Sequence, residues 1–356
     1  MTDDDDDGPT RFPYDICGWD AGDDDFFLNF RVNNKRFNVT VSAACFHNSP
    51  SESEKFNNVL AMMLGDEDND DNIFEYALWI GNAFLPDFEK LAPIVVHKGK
   101  LTLADLAVRD YYQCEISVID EKPVIGSILL EVPEPGWTPE ADVDIKSFPQ
   151  PFPLLRPGEV EVPYDDPTRV HDIHPARVIV HGRPYFYKPS WSAAESMDGI
   201  KKYAKIVASG LSQQELRTSR LYAIVVGASG WIRGMLYEWI DTSLDRTLTW
   251  MVDTKTPIAT REKWAMQIRE TVAKLHDLGI VWGDVKSENV LIDKDDNAVV
   301  IDLEGGVTRG WVDSDKGGKL EGDLQGLERM EDFIFNDDSS LRPSAHDRPE
   351  DDMEAD

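Results

Sequence analysis

Residues 279–306 constrain the fold of this chain more than any other stretch. Two short apolar runs, 290–292 and 298–301, flank a turn made only of Asp, Lys and Asn. Asp and Asn favour tight chain reversals because their side chains hydrogen-bond to the nearby backbone. The stretch therefore predicts a β-hairpin of two short strands.

Side chains that carry oxygen atoms lie just outside both strands of this hairpin. Asp284 and Asn289 are on the loop that enters the first strand, and Asp302 follows the second. Because the start and the end of a hairpin lie side by side, these three side chains can converge. Phosphoryl transfer needs such a group, since a carboxylate orients the attacking hydroxyl and hard oxygen ligands hold Mg²⁺. The alternative is an ordinary Asp- and Asn-rich loop without a site.

An amphipathic helix is predicted immediately before this loop. Thr260 can cap it, Glu262 suits its first turn, and Gly279 ends it. Four apolar residues recur at helical spacing and would form one buried stripe: Trp264, Ile268, Val272 and Leu275. A long buried helix that leads into the polar loop favours a site over an ordinary turn.

Together these motifs resemble the protein-kinase superfamily, in which an H-R-D-x-x-x-x-N catalytic loop precedes a D-F-G metal-binding segment. In this chain the loop reads Trp-Gly-Asp at 282–284 followed by Asn289, and the second segment reads Asp-Leu-Glu at 302–304. The resemblance implies that Asp284 positions the acceptor hydroxyl and that Asn289 and Asp302 hold Mg²⁺. It also implies that Lys286 lies beside the transferred phosphate, as in serine/threonine-type kinases.

A predicted strand pair at 178–188, with a Gly-Arg-Pro turn, ends in Lys188. By the same resemblance Lys188 holds the α and β phosphates of ATP; a solvent-facing lysine at a strand end is the alternative. The next segment, 192–207, is a predicted helix that would carry the acid paired with Lys188. Glu195 is the nearest glutamate and Asp198 a competing partner, although Glu195 also completes a capping box. The apolar face of this helix is predicted to be Met197, Ile200, Ala204 and Val207.

The apolar run 232–240 resembles the last strand of a kinase N-lobe and the hinge that follows it. The resemblance implies that Glu238 and Trp239 offer backbone groups to adenine and that Leu291 forms the apolar floor of the base pocket. A buried edge strand would carry the same residues.

A further helix is predicted to start at Asp323, with four residues on one apolar face: Leu324, Leu327, Met330 and Ile334. In kinases an Asp at this place binds the backbone of the catalytic loop, whereas a plain helix N-cap needs no such role. With this helix included, the motifs resemble a group of filamentous-fungal proteins that carry a reduced kinase-like domain. The resemblance covers roughly residues 146–336.

Several positions depart from the kinase pattern. No G-x-G-x-x-G precedes Lys188, so a glycine-rich loop over the phosphates is not expected. Trp-Gly replaces His-Arg at 282–283, which removes the usual anchor of a phosphorylated activation loop. Glu304 stands at the D-F-G glycine, and Phe186 stands where kinases keep a small side chain against adenine. Without an A-P-E motif and peptide-docking helices, the acceptor is not expected to be a conventional peptide.

The charge of the chain bears on its partners. Its 67 acidic and 36 basic residues give a formal net charge of −31. Nucleic acids and anionic membranes demand a basic surface, so neither is an expected partner. No apolar stretch approaches about 20 residues, and the cysteines lack paired spacing, which favours a reducing compartment. The expected location is intracellular, in the cytoplasm or the nucleus.

Composition divides the chain into five segments. Residues 1–24 and 337–356 are acidic and expected to be disordered. Between them the sequence predicts an α+β accessory unit at 25–133, a proline-rich linker at 134–167, and a kinase-like domain at 168–336 with its N-lobe at 168–240 and its C-lobe at 241–336. The accessory unit is predicted to contain a hairpin at 26–32 and 36–41, helices at 52–64, 74–91 and 103–112, and strands at 114–119 and 124–132.

The sequence thus predicts an α+β protein with a protein-kinase-like two-lobe domain, a truncated C-lobe and a preceding accessory unit. The expected function is ATP- and Mg²⁺-dependent phosphotransfer of the serine/threonine type to a protein or small-molecule acceptor. One alternative is a pseudokinase that binds nucleotide or acts as a scaffold. Another is a small-molecule kinase akin to aminoglycoside or choline phosphotransferases. The Asp284, Asn289 and Asp302 set favours catalysis, whereas the missing glycine-rich loop favours a scaffold.

Overall fold

The structure is a computed structural model that describes residues 13–64, 70–108, 110–131, 145, 148–190, 192–242, 246–306 and 308–343. Within these residues the chain is an α+β protein with three sheets and seven α-helices. It divides into two compact units, Met1–Thr138 with Glu161–Pro175 and Pro139–Val160 with Ala176–Asp356. The predicted linker at 134–167 is therefore shared between the units.

The first unit is built on a six-stranded mixed sheet of order β1-β2-β3-β5-β4, with β6 paired to β5. Its strands are β1 (Asp15–Ala21), β2 (Asp25–Val32), β3 (Lys35–Ser42), β4 (Phe46–His47), β5 (Asp110–Ile119) and β6 (Lys122–Glu131). The predicted hairpin at 26–41 is confirmed. However, β1 lies within residues assigned to a disordered terminus, so that assignment is wrong for 15–21. Acidic residues and Gly18, where the register shifts, conceal the strand pattern.

Three helices pack on this sheet: α1 (Pro50–Leu64), α2 (Asp70–Ala83) and α3 (Leu85–Leu91). The single helix predicted at 74–91 is interrupted at Phe84, and Pro86 lies in the first turn of α3, where its missing N–H is tolerated. The core is aromatic, with Phe37 and Phe88 ring centroids 4.6 Å apart. This unit therefore has its own hydrophobic core.

The helix predicted at 103–112 is wrong. Residues 103–107 form turns and bends, in which the Asp105 carboxylate accepts the Thr102 N–H at 2.9 Å, and β5 begins at Asp110. The aromatic pair Tyr111 and Tyr112 suits a strand better than a helix. Position 132, predicted as the end of β6, lies outside the described residues, as do residues 1–12 and 344–356.

The second unit begins with a five-stranded sheet of order β7-β10-β11-β9-β8. Its strands are β7 (Leu154–Leu155), β8 (Arg177–Val180), β9 (Arg183–Pro189), β10 (Leu221–Val226) and β11 (Ile232–Glu238). The predicted strand pair before Lys188 is confirmed, but its turn is His181-Gly182 instead of Gly-Arg-Pro. Both turn residues have positive φ, 49° and 76°, as in the tight turns that hairpins prefer.

Helix α4 (Ala193–Ser209) follows β9 and is capped by Ser192, whose side chain accepts the Glu195 N–H. Its buried face includes Ile200, as predicted, but differs from the predicted face at other positions. The buried residues are Ser196, Gly199, Ile200, Tyr203 and Ile206, whereas Val207 is 53% exposed. The small residues Ser196 and Gly199 let other groups approach the helix closely, which apolar spacing alone does not indicate.

The rest of the second unit is mainly helical: α5 (Leu248–Met251), α6 (Ile258–Asp277) and α7 (Leu320–Phe335), with the hairpin β12 (Val290–Ile292) and β13 (Ala298–Val300) between α6 and α7. The predicted stripe of α6 is confirmed as buried. The helix begins after Pro257, however, and not at Thr260. Among the described residues, no helix combines the length and apolar character needed to cross a bilayer.

Helix α7 begins at Leu320, three residues before the predicted start. Met330 and Ile334 are buried as predicted, whereas Leu324 is 48% exposed. Asp323 therefore lies inside the helix and Lys319 is the N-cap residue. The position of Asp323 on the buried face needs a reason other than capping.

Candidate functional site

The ends of the β12–β13 hairpin bring the predicted polar residues together. The Ile301 N–H donates to the Asn289 carbonyl at 2.9 Å, which extends the ladder one step beyond the Val290–Val300 pair. Asp302 therefore follows a residue that is hydrogen-bonded to Asn289. The convergence expected from the hairpin is present in the backbone itself.

Asn289 is tied to Asp284 by two hydrogen bonds. Its amide nitrogen Nδ2 donates to the Asp284 carbonyl at 2.9 Å and to Asp284 Oδ2 at 3.0 Å. Both side chains are buried. Because these two bonds use the donor side of the amide, the Asn289 oxygen Oδ1 is the atom suited to a cation.

Asp284 is held on its second oxygen as well. Thr308 donates its hydroxyl to Asp284 Oδ1 at 2.7 Å, and Lys286 Nζ lies 2.9 Å from Asp284 Oδ2. Lys286 also donates to the Thr308 hydroxyl at 3.0 Å. Thr308 was not predicted as a site residue, because it lies 24 residues from Asp284 and the contact has no local sequence signal.

Asp323 on α7 anchors the loop from below. Its carboxylate accepts the Trp282 N–H at 2.7 Å and the Gly283 N–H at 2.8 Å, and His276 Nε2 lies 2.8 Å from Oδ2. The prediction that Asp323 binds the loop backbone is confirmed. Helix α7 can approach this loop closely because Gly326 has no side chain. A Cβ at that position would lie only 2.5 Å from the Val285 Cβ.

Trp282 supports the backbone just before Asp302. Its indole is fully buried, and Nε1 donates to the Ile301 carbonyl at 3.0 Å. Asp302 itself has φ of +58°, in the left-handed region that few residues other than glycine adopt. Such strain persists only where the surroundings impose it, and it is concentrated at functional sites.

Lys188 on β9 reaches this cluster. Its Nζ lies 2.7 Å from Asp302 Oδ1 and also bonds to Glu304 Oε2. The predicted pairing with an acid of α4 is therefore wrong. Glu195 is exposed in the first turn of α4, and Asp198 pairs with Lys202 at 2.7 Å.

Glu304 stands where the chain departs from the kinase pattern, and the sequence left open whether this third carboxylate binds a cation or faces solvent. It does not face solvent. Its carboxylate is buried between Lys188 and the Tyr237 hydroxyl, which donates to Oε1. Burial raises the pKa of Glu304 to about 7, and its hydrogen bond with Asp302 acts in the same direction. Burial by itself would lower the pKa of Lys188. The carboxylates of Glu304 and Asp302 outweigh the effect of burial, so the pKa of the lysine is raised.

The pKa of Asp302 moves the other way. Burial would raise it, but the hydrogen bond with Glu304 and the charge of Lys188 outweigh burial and lower the pKa below its ordinary value. Of the two carboxylates beside Lys188, Asp302 is thus the one that holds its charge most firmly.

The predicted hinge residues lie at the end of β11. The Glu238 N–H is committed to the Arg220 carbonyl at 2.8 Å, so the prediction that this N–H is offered to adenine is wrong. Trp239 is half-buried, with the Arg177 guanidinium 5.5 Å from its ring centroid. Leu291 is half-buried and forms a bridge with Thr247.

A cavity of about 210 Å³ lies at this end of β11 and is lined by Gln213, Arg217, Arg220, Glu238, Trp239 and Lys294 among others. Lys188, Asn289 and Asp302 are not among its lining residues. The cavity is therefore separate from the carboxylate cluster.

Asn289 and Asp302 carry side-chain oxygen atoms of the kind that hard cations take as ligands. Among the described residues, no group of three or more His, Cys, Asp and Glu side chains could hold a metal ion by itself. Magnesium in phosphotransfer sites typically takes only one or two carboxylates and completes its shell with phosphates and water. Asn289 and Asp302 fit that requirement.

No protein-family model matches this chain, and no curated protein matches it either. The functional interpretation therefore rests on the site geometry.

Proposed function

We propose that the chain is an ATP- and Mg²⁺-dependent phosphotransferase with a protein-kinase-like two-lobe domain. In this proposal the sheet β7–β11 with α4 is the N-lobe, and α5–α7 with the β12–β13 hairpin form a truncated C-lobe. One observation carries it: the hairpin end joins Asp284, Asn289 and Asp302, and Lys188 from the sheet reaches the same group. Phosphoryl transfer requires a carboxylate that orients the acceptor hydroxyl, oxygen ligands that hold the cation, and a lysine that binds phosphates, and these residues supply all three.

Asp284 would orient the acceptor hydroxyl. Its carboxylate is fixed by Asn289 on one oxygen and by Thr308 on the other, so little reorganisation is needed when a substrate arrives. A carboxylate fixed in this way raises the reaction rate because it holds the acceptor hydroxyl in line with the transferring phosphate. The acceptor would be an alcohol on a protein or on a small molecule.

The lysines would stabilise negative charge on the transferring phosphate. Lys286 lies beside Asp284, and Lys188 lies beside Asp302, so each of the two proposed functional carboxylates has a cationic group next to it. Asn289 and Asp302 would hold Mg²⁺, which neutralises charge on the phosphates when it is bound. Electrostatic groups that are already in place act most strongly in a site that excludes water.

Two observations favour the second candidate, a scaffold without catalysis. The β8–β9 turn contains only His181 and Gly182, so this hairpin supplies no long loop to cover phosphates. Phe186 is 40% exposed and lies two residues from Lys188 on the same strand, so both side chains lie on one face of the sheet. A pseudokinase would tolerate both features.

Replacement of Asp284 by Asn tests the choice between enzyme and scaffold. Asp284→Asn should keep Mg-ATP binding but lower turnover by about 10² to 10⁴-fold, the usual contribution of a positioned acid or base. Glu288→Gln, an exposed change in the same loop, is the matched control and should keep full turnover. The assay should follow ATP hydrolysis, autophosphorylation and transfer to proteins and small alcohols. Wild-type turnover no higher than that of Asp284→Asn would favour the scaffold.

A further inference from the structure

The carboxylate that pairs with Lys188 comes from the segment after β13. We propose that Glu304 is a positioning residue that holds Lys188 for the nucleotide phosphates, in place of an acid on α4. This proposal rests on the proposed function. It also makes a claim of its own, that the lysine partner and the cation ligand Asp302 belong to one three-residue segment.

Helix α4 carries no acid where it faces Glu304. It carries a glycine there, which leaves space for the Glu304 side chain. A Cβ added at Gly199 would lie 2.7 Å from Glu304 Cγ, too close for any side chain to be accommodated without movement. Gly199 lies on the buried face of α4, where a helix with a pairing acid would carry that acid. The glycine and the glutamate therefore act as a complementary pair.

The Glu304 carboxylate has a separate donor on each oxygen. Lys188 binds Oε2, and the hydroxyl of the buried Tyr237 binds Oε1. The Tyr237 ring is itself fixed by an edge contact with Tyr203, with centroids 5.3 Å apart. Glu304 therefore has a defined orientation, and it presents one oxygen to the lysine.

Two lysines of α4 hydrogen-bond to the backbone of the neighbouring segments and so hold the helix next to Glu304. Lys202 Nζ donates to the Leu303 carbonyl at 2.8 Å, and Lys205 Nζ donates to the Gly279 carbonyl at 2.7 Å. The first bond fixes the residue between Asp302 and Glu304. Lys188 thus receives its partner, Glu304, from a segment whose backbone is held at Leu303 by Lys202 and at Ile301 by Trp282. This arrangement does not depend on the acids that α4 carries at other positions.

The first test compares ligands with and without phosphates. Glu304→Gln should weaken Mg-ATP binding by roughly 10- to 100-fold, as the loss of a supporting partner does in metal sites. Adenosine binding should stay within about twofold, because adenosine offers Lys188 no phosphate. Glu195→Gln and Asp198→Asn are the matched controls and should change neither affinity. Equal losses for ATP and adenosine, or an unchanged ATP affinity, would overturn the proposal.

The second test needs no nucleotide. A double-mutant cycle of Lys188→Met and Glu304→Gln, read from unfolding midpoints of the free protein, should be non-additive. The matching cycle with Glu195→Gln should be additive. Coupling of Lys188 to Glu195 and not to Glu304 would overturn the assignment, whatever the protein binds.

A relocation variant gives a gain-of-function test. Moving the acid to α4 with Gly199→Glu and Glu304→Gly should restore part of the ATP affinity that Glu304→Gly alone removes, since position 199 faces the same space. No restoration in a folded double variant would contradict the positioning role. If wild-type protein binds neither Mg-ATP nor adenosine, the proposed function fails, while the nucleotide-free cycle still decides which acid pairs with Lys188.

Discussion

Two carboxylates, the buried one of Asp323 and the partly exposed one of Asp302, fix the site at the scale of single residues. Asp323 accepts two backbone N–H groups of the loop, and Asp302 occupies a left-handed conformation next to a carbonyl held by Trp282. Neither arrangement contributes to a hydrophobic core. Both restrict where the functional groups of Asp284 and Asp302 can lie, which is what a preorganised polar site requires.

Asp323→Ala should destabilise the protein by about 2 to 5 kcal/mol, because two buried N–H groups and His276 lose their acceptor. Chemical unfolding followed by fluorescence or circular dichroism measures this change. Glu321→Ala, an exposed substitution in the same turn of α7, should have little effect. Equal stability of the two variants would mean that the loop does not depend on α7.

At the scale of elements, the parts with local signals were predictable. The β12–β13 hairpin follows from its Asp- and Asn-rich turn, and α6 follows from its apolar stripe, because both patterns are set by neighbours in sequence. The partner of Lys188 could not be predicted in this way. Glu304 lies 116 residues from it, and the contact depends on the glycine of another helix. The strand predicted at 114–119 is confirmed as part of β5, but the first residues of β5, 110–112, were assigned to a helix because apolar residues over a short window also fit helical spacing.

The segment between the site and α7 is held by Asp313, which gives an element-scale prediction for pH. Asp313 accepts hydrogen bonds from Gln325 at 2.7 Å, Arg329 at 2.8 Å and Lys316 at 3.0 Å, and these donors hold its pKa well below the ordinary range. A carboxyl group whose pKa is lower in the folded protein than in the unfolded chain, where it is near 3.8, stabilises the fold at pH values above 3.8. This stabilisation is lost as the pH falls through the pKa of the group in the folded protein.

Asp313→Asn should therefore lower the thermal midpoint at pH 7, and the gap from wild type should narrow as the pH falls below about 4. Asp315→Asn, two residues away and exposed, should follow the wild-type curve. Thermal scans across this pH range provide the measurement. A gap that stays constant with pH would show that Asp313 acts through packing and not through charge.

At the scale of the whole molecule, charge sets a condition on ligand binding. The chain carries a formal net charge of −31, and free ATP is itself a polyanion. Like charges repel at long range, so two lysines at the site would have to overcome an unfavourable field. The proposed function therefore predicts that ATP binds together with Mg²⁺ and only weakly without it.

Metal-dependent ATP binding by this chain is the most direct test of this account. Calorimetry or thermal shift should show ATP binding with Mg²⁺ and a loss of at least about tenfold in affinity when the cation is removed. Asp302→Asn should abolish the metal-dependent part and keep the fold, since Asn tolerates a left-handed backbone. Asp295→Asn, at the exposed far end of the same hairpin, should bind as wild type does. Equal Mg-ATP affinity in Asp302→Asn and wild type, or no ATP binding by either, would contradict the assignment of the site.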